Sequence, residues 1–348
     1  MPGDITRTVC CRSRAALVAG ILILLETASA ARAESPTVAP EAIRWTAASI
    51  FKKDTDDDRK NQPRMNLSGA ACVPTTPKFT SCLIANDEKK YAQFFSIDGN
   101  KLKPRKLIRL SNAKKDPDAE GVAYDSGFFY VIGSHGRSRH GNSANRSSYA
   151  VFRIAVDPAT GVPRSEPDED QVVGVESSSR LRGAIRDGDT IRKFFKRRLA
   201  KKGVNIEGIA VRDGRMHLGL RAPSLRGNAF VLCVDADAVF TRKDDLRSKV
   251  TPLALGRNTG IRDLAAVEDG VLILAGPTRD EKVPYAVWFW DGTSTTAKPL
   301  AILDLSSVDA GAKAEILLPL EEDRSNTRVL VMFDGVENGG AVSFKIPR

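Results

Sequence analysis

The chain has 348 residues, 42% hydrophobic and 28% charged, with a formal net charge of +10. That balance suits a large packed core and excludes an intrinsically disordered chain. The basic excess favours anionic encounter partners, while the absence of any nucleic-acid-binding motif argues against a nucleic-acid partner.

Residues 1–33 read as a signal peptide. Arg7, Arg12 and Arg14 precede an apolar run at 15–25, and Ala28-Ser29-Ala30 or Ala31-Arg32-Ala33 supplies a small-residue cleavage site. The apolar run is too short for a spanning helix, and the mature chain contains no transmembrane candidate. A periplasmic or secreted protein is expected, working as a monomer, with residues 34–348 as its single domain. Cys10 and Cys11 leave with the leader, so Cys72, Cys82 and Cys233 remain. Cys72 and Cys82 flank the turn-rich Pro74-Thr75-Thr76-Pro77, which predicts a disulfide across a hairpin in an oxidising compartment. Cys233, inside an apolar run, reads as a buried thiol. The cysteines and histidines show no zinc-ligand spacing.

A short phrase then recurs: a polar residue, often glycine, and a small apolar run. It appears as Ser68-Gly69-Ala70-Ala71, Glu120-Gly121-Val122-Ala123, Glu207-Gly208-Ile209-Ala210, Arg262-Asp263-Leu264-Ala265 and Glu315-Ile316-Leu317-Leu318. First positions are separated by 52, 87, 55 and 53 residues (68, 120, 207, 262, 315). A period near fifty predicts a propeller. After each phrase comes a turn signal such as Asp213-Gly214, an alternating strand, a polar loop and two further strands. The fold class expected is therefore all-β: a β-propeller of five four-stranded blades, with room for a sixth in the 87-residue gap. The last repeat lacks a fourth strand, and the N-terminal run at 43–51 is expected to close the ring by pairing there.

Most of the extra length before Glu207 is not strand-like. Ile191, Phe194, Phe195 and Leu199 recur at helical spacing among basic residues, predicting an inserted basic helix over 187–201 that packs on the propeller flank. The polar, basic loop at 136–146 overhangs the predicted mouth and could act as a lid or as an ordinary solvated loop.

In an antiparallel blade, the start of strand one and the end of strand two lie at the same end. The repeated polar position therefore shares one mouth with the loops after strand two. This gathers Asp87, Glu88, Glu120, His135, Arg137, Glu207, Arg221, Arg262, Asp263 and Glu315 as candidate ligand-binding residues. His140 and His217 have ordinary structural readings. Leu67-Ser68-Gly69, Asn86-Asp87-Glu88, Gly133-Ser134-His135, Ile206-Glu207-Gly208, Leu220-Arg221-Ala222-Pro223 and Gly260-Ile261-Arg262-Asp263 together resemble the uncharacterised bacterial family called domain of unknown function 3616, over roughly residues 65–340. The resemblance implies a propeller-like bacterial protein and no established activity.

Three readings of the mouth compete. The carboxylates could simply pair with Arg137, Arg221 or Arg262 to close the ring. The mouth could bind a small anionic ligand, or an extracytoplasmic protein, through forked arginine contacts. Alternatively, Glu120, Glu207 and Glu315, with Asp87 and Glu88, could hold calcium or magnesium and hydrolyse a phosphate or carboxyl ester, with His135 or a glutamate as base. No nucleophile motif is present, so whether the protein is an enzyme stays open at this level.

Overall fold

The computed structural model describes residues 35–52, 63–74, 81–137, 145–242, 245–308 and 311–348. The expected leader and most of the 136–146 loop lie outside the described residues. Two short strands come first, β1 (Thr37–Val38) and β2 (Thr46–Ala47). Blade 1 comprises β3 (Leu67–Cys72), β4 (Cys82–Asn86), β5 (Tyr91–Asp98) and β6 (Lys101–Arg109). Blade 2 comprises β7 (Ala119–Asp125), β8 (Phe128–Gly133), β9 (Val151–Ala155) and β10 (Val175–Ser178). Blade 3 is β11 (Asn205–Arg212), β12 (Arg215–Leu225), β13 (Asn228–Asp235) and β14 (Lys249–Leu253). Blade 4 is β15 (Thr259–Val267), β16 (Gly270–Pro277), β17 (Ala286–Trp290) and β18 (Lys298–Leu303). Blade 5 is β19 (Lys313–Glu322), β20 (Asn326–Asp334) and β21 (Val342–Pro347).

Each blade is an antiparallel meander. Several first hairpins turn through the two-residue, positive-φ geometry that the strand twist favours: Ser126-Gly127 has φ of 46° and 83°, and Asp213-Gly214 has 52° and 70°. The inner strands β3, β7, β11, β15 and β19 neighbour one another in that order and back to β3, so the ring closes with five blades. No sixth sheet forms among the described residues. The extra length before Glu207 goes into connections instead.

Both faces of a blade are covered, which explains why its strands read as nearly continuous apolar runs. In β16, Leu272 and Leu274 pack with Phe333 and Phe344 of blade 5, while Val271 and Ile273 pack with Val231 of blade 3. The same alternation builds a core at every interface, including Leu83, Phe94 and Phe129 between blades 1 and 2, and Phe51, Ile84, Phe95 and Met332 between blades 5 and 1. Each such side chain contributes about 1.5–3 kcal/mol by leaving water, so the blades stack without a shared central core.

Two sequence expectations are refined, and the cysteine readings hold. The N-terminal segment does span the seam, but as a strap and not as a fourth strand of blade 5. Its β1 pairs in parallel with β18 and its β2 with β6. Between them it meets blade 5 by single contacts: Glu41 N donates to Ser343 O at 2.8 Å, Trp45 Nε1 to Ser343 Oγ at 3.0 Å, and Arg328 pairs with Glu41 at 2.7 Å. The helix expected over 187–201 instead occupies Leu181–Asp187, here α1, and is followed by two short 3-10 turns at Arg192–Phe194 and Leu199–Lys201. Extended Gly188 ends α1, and Lys196 at φ 63° breaks the continuing helical pattern. Ile191 and Phe195 are nonetheless buried on the flank of blades 2 and 3. The predicted disulfide forms between Cys72 and Cys82, which face each other across β3 and β4, and Cys233 is a buried free thiol.

The inner strands approach one another closely at the axis. A Cβ at Gly121 would lie 2.7 Å from the Glu207 carbonyl oxygen of the next blade. Gly121→Ala is therefore expected to destabilise the fold by about 1–3 kcal/mol through overpacking against backbone. Denaturant unfolding measures this, and a change below the error of the midpoint would contradict the close approach.

Candidate functional site

The recurring phrase proves to be a β-bulge. In every inner strand the pairing register skips one residue: Gly69, Glu120, Glu207, Arg262 and Glu315. A bulge leaves its extra residue unpaired and re-aims its side chain. Four of the five bulge residues are charged, and they meet across blades at one end of the ring. The equivalence in blade 1 is thus Gly69, one residue later than the Ser68 suggested by the sequence phrase.

On one side of the mouth these charges neutralise each other. Glu207 is forked between two arginines, with Arg221 Nη1 at 2.6 Å from Oε1 and Arg262 Nη1 at 3.0 Å from Oε2. Arg262 Nη2 also contacts Glu315 Oε1. Arg221 itself lies at an irregularity in β12, where the pairing skips it, and its Nε donates to Thr278 O at 2.7 Å. Arg262 is only 1% exposed. Burial works against its charge, but the Glu207 and Glu315 carboxylates outweigh this and hold its pKa above the ordinary value. Asp263 points elsewhere, accepting from Leu264 N and from Leu317 N of blade 5, both at 2.8 Å. Its burial raises its pKa despite those two bonds.

The other side is acidic and open. A cavity of about 470 Å³ is lined by Asp87, Glu88, Asp116, Asp118 and Glu120, with Lys114, Lys115 and Arg137 around it. Glu120 accepts from Ser68 Oγ at 3.2 Å. Its pKa is raised well above the usual range, first by burial and then by Asp118, Glu207, Asp87 and Glu315. Asp87 is raised likewise, by burial and then by Glu315, Asp334, Asp118 and Glu88, and its Oδ1 is buried without a hydrogen-bond partner. Asp118, at φ 52°, accepts from Ser134 Oγ. A larger cavity, about 540 Å³, opens at the opposite end of the channel between apolar side chains such as Val122, Ile209 and Leu264. It lies away from these convergent polar groups.

Of the ten candidates read from the sequence, the cavity brings together Asp87, Glu88, Glu120 and Arg137. Glu207, Arg221, Arg262 and Glu315 form the neutralised network beside it, Asp263 ties blades 4 and 5, and His135 is buried near Tyr149. Glu207 and Glu315 are both engaged by Arg262, and no group of three or more His, Cys, Asp or Glu placed to hold a metal ion occurs among the described residues. Sequence reasoning missed Asp116, Asp118, Lys114 and Lys115. A signal was available, because Asp118 lies two residues ahead of the bulge glutamate and immediately precedes the same strand.

The ordered phrases of this mouth, from the Asn86-Asp87-Glu88 loop to the Gly260-Ile261-Arg262-Asp263 strand, fall within two matched stretches, residues 81–155 and 157–341, of the family described as protein of unknown function (DUF3616). The chain belongs to the DUF3616 family. No curated protein matches this DUF3616 member. Among solved structures it is similar to a GH43 β-1,3-galactosidase, at 11% identity, covering 90% of this chain and 60% of that one with a TM-score of 0.47. It is also similar to an exo-β-1,3-galactanase from Phanerochaete chrysosporium, at 10% identity, 86% and 63% coverage and a TM-score of 0.44. A calcium-binding protein, regucalcin, from Agrobacterium tumefaciens matches at 10% identity, with 87% and 95% coverage and a TM-score of 0.36. The DUF3616 chain thus spans less than two thirds of the length of the two galactan-related structures.

Two predictions follow from the divided mouth. Arg262→Met leaves buried Glu315 without its cation and Glu207 with Arg221 alone, and should cost about 3–5 kcal/mol in denaturant unfolding; a loss under 1 kcal/mol would show that the network is solvated. The second concerns pH. Glu120 and Asp87 are raised well above their ordinary values and Glu315 is pushed up to about 7, so the folded state holds these protons more tightly than the unfolded chain. The resulting stability is fully present below the unfolded carboxyl range and is lost as pH rises through the folded values. Wild-type Tm should therefore fall from about pH 4.5 toward pH 8, and Glu120→Gln should reduce that fall and raise Tm at pH 8. A wild-type Tm that climbs across this window would contradict the assignment.

Proposed function

We propose that the protein is an exported binding protein whose mouth takes a small hydroxyl-rich ligand carrying one anionic group. The observation that supports this most directly is the unbalanced half of the bulge ring. Glu120 and Asp87 share a cavity of about 470 Å³ with no arginine forked onto them, whereas Glu207 and Glu315 next door are neutralised. A carboxyl with a raised pKa is both donor and acceptor, which suits hydroxyl groups. Lys114, Lys115 and Arg137 around the cavity suit a negative group on the same ligand. The cavity volume lies within the range of small-ligand sites, about 300–1,000 Å³.

Export is supported by the Cys72–Cys82 disulfide, which fits an oxidising compartment. No helix among the described residues is long and apolar enough to cross a membrane. Recovery of the chain from cytoplasm alone, with residues 1–33 still attached, would overturn this part of the reading.

One observation favours hydrolysis as a second reading: a buried glutamic acid that keeps its proton can serve as a general acid. A metal-assisted version of it would need carboxylates of the mouth to close around calcium or magnesium, which prefer oxygen ligands.

A panel of neutral and acidic sugars and polyols, screened by thermal shift and then calorimetry, tests the binding reading. Acidic members should bind, and Glu120→Leu should weaken them at least about tenfold by removing a buried hydrogen-bonding group. Binding that is unchanged in Glu120→Leu, or an entirely silent panel, would sink it. Product release from the bound members decides hydrolysis, and a Tm indifferent to calcium, magnesium and chelator removes the metal version.

A further inference from the structure

The extra chain between blades 2 and 3 ends in a small basic lobe. Its base is pinched shut, because Val204 N donates to Phe194 O at 3.2 Å. Within it, Lys202 N donates to Leu199 O at 2.8 Å and Gly203 N to Arg198 O at 2.9 Å. Lys196 at φ 63° and Lys202 at φ 58° turn through the left-handed region, which lysine seldom occupies. A Cβ at Gly203 would lie 2.0 Å from the Arg197 carbonyl oxygen, so the chain returns tightly on itself. These contacts fix the lobe's shape.

Lys196, Arg197, Arg198, Lys201 and Lys202 crowd this lobe, all of them exposed, and the sequence holds no acid between Asp189 and Glu207. Elsewhere surface arginines meet carboxylates, as Arg247 meets Asp235 and Arg348 meets Asp269. Among the described residues, none of Lys196, Arg197, Lys201 and Lys202 forms such an ion pair. Like charges gathered this way repel, and an anionic partner relieves the repulsion. The lobe adjoins the mouth. Leu199 lines the cavity of about 470 Å³, and Arg137 on the cavity wall donates from Nη1 to Lys196 O at 3.3 Å. The apolar side chains of the segment turn inward: Ile191 and Phe195 are buried against blades 2 and 3, and the Arg197 guanidinium lies 5.2 Å from the Phe194 ring centre. A membrane-docking segment would present such groups outward.

We propose that the lobe holds the succeeding acidic units of a polysaccharide chain whose end unit occupies the mouth. The mouth takes the hydroxyls and the one anionic group of that end unit. The lobe supplies a second contact, which a lone sugar is too short to reach and a neutral polymer has no charge to use. The inference rests on the proposed function and names its ligand as the end of an acidic polymer.

The test is calorimetry with galacturonic acid, its linear trimer and its linear hexamer. The hexamer should bind at least about tenfold more tightly than the monosaccharide, because two linked contacts reinforce each other. That advantage should shrink as salt rises from about 0.05 M to about 0.5 M, since exposed charges are screened. A triple variant, Arg197→Gln, Lys201→Gln and Lys202→Asn, should lose the advantage while binding the monosaccharide as wild type does. Asparagine tolerates the positive φ at 202, and all three side chains are exposed, so Tm should not fall. Equal wild-type affinity for monosaccharide and hexamer would overturn the lobe's role and leave the mouth reading standing. An undiminished advantage in the triple variant would overturn it as well. Full hexamer affinity in Glu120→Leu would place the chain end outside the mouth and overturn both, as would no binding of any of the three. Sedimentation with vesicles of equal parts phosphatidylglycerol and phosphatidylcholine, lost in the triple variant, would overturn the proposal in favour of a membrane surface.

Discussion

Each inner strand carries one residue more than its partner at the same level of the ring, and the mouth depends on that bulge. A regular strand in this fold alternates its side chains between two interblade cores, leaving no face for a charged group. The unpaired residue escapes this alternation. Glu120, Glu207, Arg262 and Glu315 can therefore be buried at the axis without entering an apolar interface. Gly69 takes the same place in blade 1 at φ 67°, where an added Cβ would strike Gly121 and the Glu120 carbonyl. Blade 1 accordingly contributes no bulge side chain, and Glu120 meets the Ser68 hydroxyl there instead.

Charge balance then divides the ring. Arg262 sits between Glu207 and Glu315 and can reach both, and Arg221 takes the remaining Glu207 oxygen. Both cations are thereby committed to one side. Burial of such pairs is costly unless the geometry and remaining hydrogen bonds are good, a condition that the Arg221 bond to Thr278 helps to meet. Glu120, two blades away from Arg262, receives a serine hydroxyl instead of a guanidinium. Its raised pKa follows from position in the ring, since burial acts first and the neighbouring acids Asp118, Glu207, Asp87 and Glu315 add to it.

Much of this fold was legible in the sequence because propeller blades repeat a local pattern: Asp213-Gly214 marks a hairpin, and the apolar runs mark strands buried on both faces. Blade number and the disulfide followed from spacing and from the two cysteines beside one turn. The bulge was not legible. Its signature is a register shift between two strands, and Ser68 resembles the other polar positions while Gly69 is the residue skipped. The strap was misplaced for a related reason, because pairing in parallel with β6 and β18 leaves no local pattern distinct from pairing with β21. Helical spacing at Ile191, Phe194, Phe195 and Leu199 reported burial correctly at Ile191 and Phe195 but could not report that Lys196 turns through positive φ.

The break in the repeat and the unbalanced half of the mouth coincide. From Glu207 to Glu315 the bulges come at regular intervals of 55 and 53 residues, and this is the part of the ring that is neutralised. Between Glu120 and Glu207 the interval is 87 residues, and the additional chain supplies α1 and the two 3-10 turns. That chain brings Leu199 to the cavity and packs Phe195 against Tyr149. It also brings the Arg182 guanidinium against the Tyr149 ring. A repeat needs no such cover to close a five-blade ring, since the other three connections between inner strands manage without it. The additional chain is used where the charged axis is left unpaired, so the departure from periodicity and the chemistry of the mouth belong to the same part of the molecule.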